Sequence, residues 1–443
     1  MATKYARAIF LSLSRFSAII TIIKDSMKKI ILFVLIVSGM TQYGHSQVFD
    51  PAKGCVVNSN GACVSNTQLT AMPFLRIVPD ARGGGMGDVG IAIPSDANSM
   101  YYNASKLVFA EQDVGLAVTY TPWLRNLGLD DVYMAYLAGY KQIDDFSAVG
   151  VSMRFFSLGD ISFTDDNGDP LGEGRPREME FALAYSRKLG SNFSAGLTGK
   201  YIRSRLASGQ TVGGVEIVPA TAFAADISMN WFKEGDMVAG GSKWHFGLAA
   251  TNIGSKVSYT GNDLKDFIPA NLGIGTALEL NFDEFNAITF ALDINKLLTP
   301  SPVSSQIKDA DGNDIENPEY STDGDEIGDF RQISLFSGIF GSFTDAQGGF
   351  SEELREINYS LGLEYWYDKQ FAVRAGYYFE NPTKGDRQFL TVGVGIKYNV
   401  FGIDLSYLTP TNNRRNPLDN TLRFSLIFDF AQGNIFQGDA IEN

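Results

Sequence analysis

Two residue types that carry much of protein chemistry are nearly missing here. The 443-residue chain has two cysteines, Cys55 and Cys63, and two histidines, His45 and His245. Such a set cannot close a structural zinc site, and it leaves a hydrolase little choice of general base. Positive charge is also short: 36 Lys and Arg stand against 50 Asp and Glu, a net charge of −14. A surface of that sign repels phosphate backbones, so no nucleic acid is expected as a partner. Long apolar runs are scarce as well. A membrane-spanning helix needs about 20 apolar residues, and the run that begins at Phe16 is interrupted by Lys24, Asp25, Lys28 and Lys29.

The apolar stretch near the start has another use. Met27-Lys28-Lys29 is followed by IILFVLIVSGM and then TQYGHSQ: a basic start, a short apolar centre, and small residues Gly44 and Ser46 around His45. This is the pattern of a secretory signal peptide over 27–46. Residues 1–26 then read as an extension ahead of the true start at Met27, and the mature chain begins near Gln47. Removing residues 1–46 takes away six basic side chains and one acidic one, which leaves 30 against 49 and a net charge near −19. Acid gathers in loops, since 309–329 holds nine acidic side chains and no Lys or Arg. Export to an oxidising compartment makes a disulfide between Cys55 and Cys63 the expected state.

What the chain has in quantity is alternation of period two. In NTLRFSLIFDF, Leu422, Phe424, Leu426, Phe428 and Phe430 share one face, while Arg423, Ser425, Ile427 and Asp429 share the other. In EMEFALAYSRK, Met179, Phe181, Leu183 and Tyr185 oppose Glu180, Ala182, Ala184 and Ser186. Each is a strand signal. Fourteen such segments occur, near 112–122, 132–141, 146–157, 178–188, 193–205, 219–232, 244–253, 271–280, 286–297, 358–367, 371–380, 389–398, 401–409 and 420–430. Their even number, their usual length of nine to thirteen residues, and aromatics at strand ends such as Tyr120, Trp123 and Tyr365-Trp366-Tyr367 suit tilted strands crossing a bilayer. Connections alternate short and long, as in an outer-membrane barrel. The expected fold is therefore all-β, a 14-stranded antiparallel transmembrane β-barrel over 112–430, with long loops extracellular, both termini periplasmic and a periplasmic tail at 431–443. Soluble sandwiches and propellers also alternate, but they bury their apolar faces.

Residues 79–103, PDARGGGMGDVGIAIPSDANSMYYN, contain G-x-G-x-x-G from Gly85 to Gly90. A dinucleotide site needs a strand before these glycines and a helix after them. Pro79 and Pro94 flank them instead, so the match is accidental. The wider stretch FLRIVPDARGGGMGDVGIAIPSDANSMYYNASKL, Phe74 to Leu107, closely resembles the amino-terminal signature of the PorV family of the type IX secretion system in Bacteroidetes. That family belongs to the larger group of fatty-acid-transporter-like (FadL-like) outer-membrane barrels. The resemblance takes in FTDAQGGFSEELREINYSLGLEYWY at 343–367 and the closing strand, and departs in the tail after Phe430.

The resemblance implies that residues 47–111 form a periplasmic and hatch segment which folds into the lumen. Gly83, Gly84, Gly85 and Gly87 there permit close backbone packing. Asp80, Arg82 and Asp88 are expected among the inward charges Glu364, Arg374, Arg423 and Asp429, either pairing with them or only filling and neutralising the lumen. The implied partners are the translocon pore protein of the system, secreted cargo bearing a carboxy-terminal signal domain, the sortase of the attachment complex, and outer-membrane lipid with lipopolysaccharide.

No enzyme and no cofactor are expected. His245 alternates with Trp244 and Phe246, which points it inward as a structural residue. DDNGD at 165–169 and DADGND at 309–314 fall short of the EF-hand pattern and read as solvated acidic loops. The loop at 298–357 carries ISLFSGIFGSF, with Ile333, Phe336, Ile339, Phe340 and Phe343 near helical spacing. Such a stripe is either a docking surface or a lid folded back on the barrel. The competing function is a FadL-like channel for hydrophobic solutes. Against it stands the charge expected on the inward face: Arg154, Lys200, Asp226, Asp293, Glu364, Arg374 and Asp429.

Overall fold

The computed structural model describes residues 48–50, 55–57, 67–124, 129–164, 170–207, 209–212, 215–261, 265–301, 306–308, 314–316, 331, 333–346, 349–412 and 420–431. The expected signal peptide, Cys63 with its disulfide to Cys55, the acidic stretches 165–169 and 309–313, and the tail from 432 lie outside these residues. Residues 1–65 and 66–443 form separate units. In the first, Val48–Asp50 pairs antiparallel with Cys55–Val57.

The second unit is a closed barrel of fourteen strands: β1 (Val114–Pro122), β2 (Val132–Asp144), β3 (Ser147–Leu158), β4 (Arg177–Lys188), β5 (Phe193–Arg205), β6 (Ala220–Gly235), β7 (Ser242–Gly254), β8 (Asn271–Asn281), β9 (Asn286–Leu297), β10 (Ile357–Tyr367), β11 (Phe371–Phe379), β12 (Gln388–Tyr398), β13 (Phe401–Pro410) and β14 (Leu422–Phe430). Each pairs antiparallel with the next, and β14 closes on β1 with Phe430 opposite Val114. Every strand boundary falls within three residues of its sequence expectation. Closure satisfies each strand on both edges, the only way a sheet can sit in lipid.

The two faces of the wall are opposite in character. Along β12, Leu390, Val392, Val394 and Ile396 are 42–58% exposed, while Phe389 and Thr391 between and beside them are 3% and 2% exposed. On β4, Phe181, Leu183 and Tyr185 are exposed, and Glu178, Glu180, Ala182, Ala184 and Ser186 are buried inside. A soluble barrel would place its large apolar side chains within. Here they face out, so the surrounding medium is hydrocarbon. Outward aromatic rings form a girdle at each end. Tyr120, Tyr133 and Phe155 run in contact near one rim, with Tyr201 on Phe223 and Tyr359 near Phe379. Near the other, Trp231, Phe246 and Trp244 pack together, with Phe285 on Tyr367 and Phe401 on Phe428.

Short turns at 145–146, 189–192, 236–241, 282–285, 368–370 and 399–400 occupy one end of the barrel. Long connections occupy the other, and the longest, 298–356, carries α3 (Leu335–Gly341) and α4 (Phe350–Glu353). The chain enters β1 and leaves β14 at the short-turn end. The segment before β1 starts at the opposite end: Ala71 N donates to Phe267 O at 2.8 Å, and Gln68 Nε2 donates to Thr299 O at 2.7 Å. Ala71, Met72, Phe74 and Leu75 pack there against Val132, Phe156, Ile202 and Ala220. From this mouth the segment descends the lumen through two one-turn helices, α1 (Ala81–Gly84) and α2 (Ser99–Tyr102), to the 3-10 turn Ala104–Phe109. The expectation of two periplasmic termini concerns residues outside the described ones. Within the described chain, residue 67 and Phe430 lie at opposite ends of the barrel.

Candidate functional site: the hatch and the long-connection mouth

Asp80 starts the central turn of the hatch. Its side chain caps α1 by accepting from Gly83 N at 2.7 Å, and it also accepts from the Tyr102 hydroxyl at 2.7 Å. A capped turn brings Gly83, Gly84, Gly85 and Gly87 against the wall. Gly87 has φ +72°, and a Cβ there would meet Leu361 O and Tyr377 N at 2.6 Å. The wall answers in kind. A Cβ on inward-facing Gly376 would overlap the backbone of Met86 and Gly87, and one on Gly393 would come within 3.2 Å of Gly85 Cα. Glycine on both sides lets backbone lie against backbone. Gly87 N then donates to Thr391 Oγ1 at 2.8 Å.

Charge fixes the same contact. Arg82 belongs to a buried chain of ion pairs: its Nε and Nη2 donate to the two Glu364 oxygens at 2.9 and 2.7 Å, and its Nη1 reaches Asp96 at 2.9 Å. Glu364 also accepts from Arg374 at 2.7 Å, and Arg374 reaches Asp404 at 2.6 Å. Asp88 lies 3.6 Å from Arg423, and Gly84 packs on the Arg423 side chain. Two expectations come out differently. Asp80 pairs with its own segment, because a helix start offers it unpaired N–H groups. Asp429 pairs with Lys397 at 2.7 Å across the wall, close to the short-turn rim and away from the hatch.

Further clamps engage most of the circumference. Asp293 on β9 accepts from Gly90 N and Ile91 N at 2.7 and 2.9 Å. Arg154 on β3, held by Glu180 at 2.6 Å, donates to the carbonyls of Phe74, Leu75 and Ile77. Lys106 caps the carbonyls of Gly90 and Ile93 at 2.5 and 3.0 Å. Ser194 Oγ donates to Ser105 O at 2.7 Å, and Gln142 Nε2 to Ala110 O at 2.9 Å. Sequence reasoning marked Arg154 and Asp293 as lumen charges without seeing their backbone targets, and missed Lys106. Its charge in the otherwise uncharged stretch from Ala97 to Ala110 was the available signal. Lys200 and Asp226 pair with each other at 2.8 Å and hold Asn252 beside a bulge in β6. His245 faces inward, 3.6 Å from Glu279.

The hatch divides the lumen. Toward the short turns lies a chamber of about 710 Å³, bounded by Arg82, Ile93, Asp96, Lys106 and Phe109 of the hatch and by Trp366, His245 and Lys397 of the wall. On the other side a smaller polar cavity of about 110 Å³ lies among Asp88, Ile91, Tyr102, Asn271 and Asn358.

At the long-connection mouth, α3 begins with a Ser334 cap and turns Ile339 into the barrel, against Ala270 and Leu298. Its other face is bare: Phe336 is 64% and Phe340 71% exposed, with Ile333, Phe343 and Phe350 exposed beside them. The two readings of this stripe divide between its faces. The base of the loop is held by Lys296, which reaches Glu353 and Glu356 at 2.9 and 2.6 Å, and by Lys384, which reaches Glu352 and Glu356 at 2.5 and 3.0 Å. In the neighbouring connection, Glu380 binds Arg76 and Arg387 at 2.9 and 2.7 Å. Burial alone would raise the Glu380 carboxyl, but Arg387 and Arg76 outweigh it and hold it down at about 2.

A wall apolar without, charged within and crossed by its own amino-terminal segment defines a hatched transmembrane β-barrel. Residues 61–304 match the family described as "Type IX secretion system protein PorV". The chain belongs to that family and is an outer-membrane barrel of the type IX secretion system. Among solved structures it is similar to the toluene transporter TodX of P. putida (12% identity, TM-score 0.44, 80% of this chain and 98% of that one) and to the toluene transporter TbuX of Ralstonia pickettii (11%, 0.44, 79% and 98%). It is also similar to a Pseudomonas aeruginosa FadL homologue (12%, 0.41, 83% and 100%). No curated protein sequence matches.

Proposed function

We propose that this barrel is a non-enzymatic receptor for exported proteins. It binds the carboxy-terminal signal domain of cargo emerging from the translocon pore and hands that cargo to the cell-surface sortase of the attachment complex. The long connections face the exterior in this reading. The observation that carries it is the exposed face of α3, an aromatic patch of Phe336, Phe340 and Phe343 held over the mouth by a bonded loop base. Exposed aromatic clusters on an ordered support are the usual centre of a protein interface. The hatch supports the same reading, since interlocked backbones and a buried ionic chain close the route that a solute would take.

Replacing the gene by a Phe336→Ser/Phe340→Ser variant tests this. The expected result is a barrel at normal abundance in the outer membrane, with cargo lost from the cell surface and retained in the periplasm. Normal surface cargo would contradict the proposal. Loss of growth on a lipid carbon source, with cargo intact, would instead favour an uptake channel.

A further inference from the structure

Most arginines on the barrel strands have a partner. Arg154 and Arg374 face inward onto carboxylates, Arg423 lies near Asp88, and Arg187 shares the Ser147 and Tyr185 hydroxyls. Three others do not fit this pattern. Arg177, Arg203 and Arg205 are exposed on the outer face of β4 and β5, and no ion pair or hydrogen bond ties their side chains to any described residue. Arg177 stands directly opposite Arg205, and Arg203 opposite Met179, one step along the same face. Cβ atoms of directly opposed residues lie about 5 Å apart, and like charges so placed destabilise a strand pair. The arrangement asks for an anion from outside the chain.

Its height says which anion. On β4 the outward residues Arg177 and Arg187 bracket Met179, Phe181, Leu183 and Tyr185. Ten residues of strand span about 33 Å, and at a tilt of about 40° this covers about 25 Å of depth, the thickness of the apolar band of such barrels. Arg177 therefore sits at one edge of the hydrocarbon. On β5, Arg203 and Arg205 follow Tyr201, whose ring packs on exposed Phe223 in the girdle at the long-connection rim. Three guanidiniums, just past an aromatic girdle and facing sideways into the bilayer, occupy the level of lipid headgroups. Guanidinium binds phosphate oxygens in a bidentate fork. We infer that Arg177, Arg203 and Arg205 form a binding site for the phosphates of an anionic lipid in the leaflet at the long-connection end. The site gives the barrel a fixed lipid neighbour on its β4–β5 side and compensates the opposed charges.

The inference depends on the barrel's membrane setting but not on cargo, so its test contains no cargo. The full chain, purified in neutral detergent, is titrated with micelles of diphosphoryl lipid A while its thermal transition is followed. Parallel titrations use dephosphorylated lipid A and inorganic phosphate. Diphosphoryl lipid A is expected to raise the transition in a saturable way, with the two controls inert at equal concentration. Arg177→Gln/Arg203→Gln/Arg205→Gln should weaken that binding about tenfold or more. The corresponding triple lysine variant, which keeps the charge but loses the bidentate fork, should bind more weakly than wild type and more tightly than the glutamine variant. Folding of each variant is checked by its heat-modifiable gel mobility, and the single variant Arg205→Gln, expected to bind lipid A more weakly than wild type, carries the test if the triple glutamine variant fails to fold. Equal shifts from inorganic phosphate would overturn the lipid assignment, as would equal binding by wild type and the folded glutamine variant.

Discussion

Glu364→Gln should loosen the hatch more than the wall. The Glu364 carboxylate is 1% exposed in its side chain and serves two guanidiniums, Arg82 from the hatch and Arg374 from the neighbouring strand. Removing one partner of a buried ion pair costs about 3–5 kcal/mol. Each arginine here keeps a second carboxylate, Asp96 or Asp404, which places the cost near the lower end. A loss of about 3 kcal/mol multiplies a local opening constant by about 150. The assay is hydrogen exchange, by mass spectrometry, of the purified barrel over residues 81–91. There Gly85 N bonds Ala81 O, Met86 N bonds Gly83 O, and Gly87 N bonds Thr391. Exchange over 81–91 should accelerate by about two orders of magnitude, with β1–β9 unchanged. A double cycle with Arg82→Gln isolates the hatch-to-wall part and should return a coupling of about 1–3 kcal/mol. Uniform acceleration across all strands, or no acceleration over 81–91, would refute the reasoning that Glu364 anchors the hatch.

Gly376→Ala should expel the hatch from its seat, since the added methyl meets the Met86–Gly87 backbone, which cannot rotate away. Overpacking of this kind costs about 1–3 kcal/mol or more, to be read as lost exchange protection at 84–87. Gly199→Ala, whose methyl meets nothing within 4 Å, should behave as wild type. The clasp of Arg76 and Arg387 on Glu380 should weaken in acid. The folded carboxyl lies at about 2 against an ordinary 4.5, so its contribution, on the order of 3 kcal/mol, is complete above about 4.5 and lost as pH falls through about 2. Protection of residues 71–77, corrected for intrinsic exchange, should fall across that window in wild type and stay flat in Glu380→Gln.

The wall was readable because lipid and lumen impose opposite chemistry on alternate residues, and a period of two survives in any single chain. Leu390, Val392, Val394 and Ile396 declare one face, and Arg423 and Ser425 the other. Pairings between distant segments leave no such trace. In the alternating pattern Gly376 and Gly393 are only small residues on the inward face, whereas the structure shows them as seats for Met86–Gly87 and Gly85. Asp80 and Asp429 read as lumen charges like Glu364, but only distances separate a helix cap and a wall pair from a hatch anchor. The split of the 333–343 stripe into buried Ile339 and exposed Phe336 and Phe340 needed the position of Ala270 and Leu298. The start of the hatch at the long-connection mouth was equally invisible, because no local pattern records where a segment begins its path.

The most direct test is binding of a purified cargo signal domain to the purified barrel in detergent, measured by biolayer interferometry without other components of the system. Saturable binding by wild type, weakened tenfold or more in Phe336→Ser/Phe340→Ser and retained in Glu364→Gln, is the predicted result. A wild-type barrel that ignores the signal domain, or a serine variant that binds it as tightly, would contradict the account.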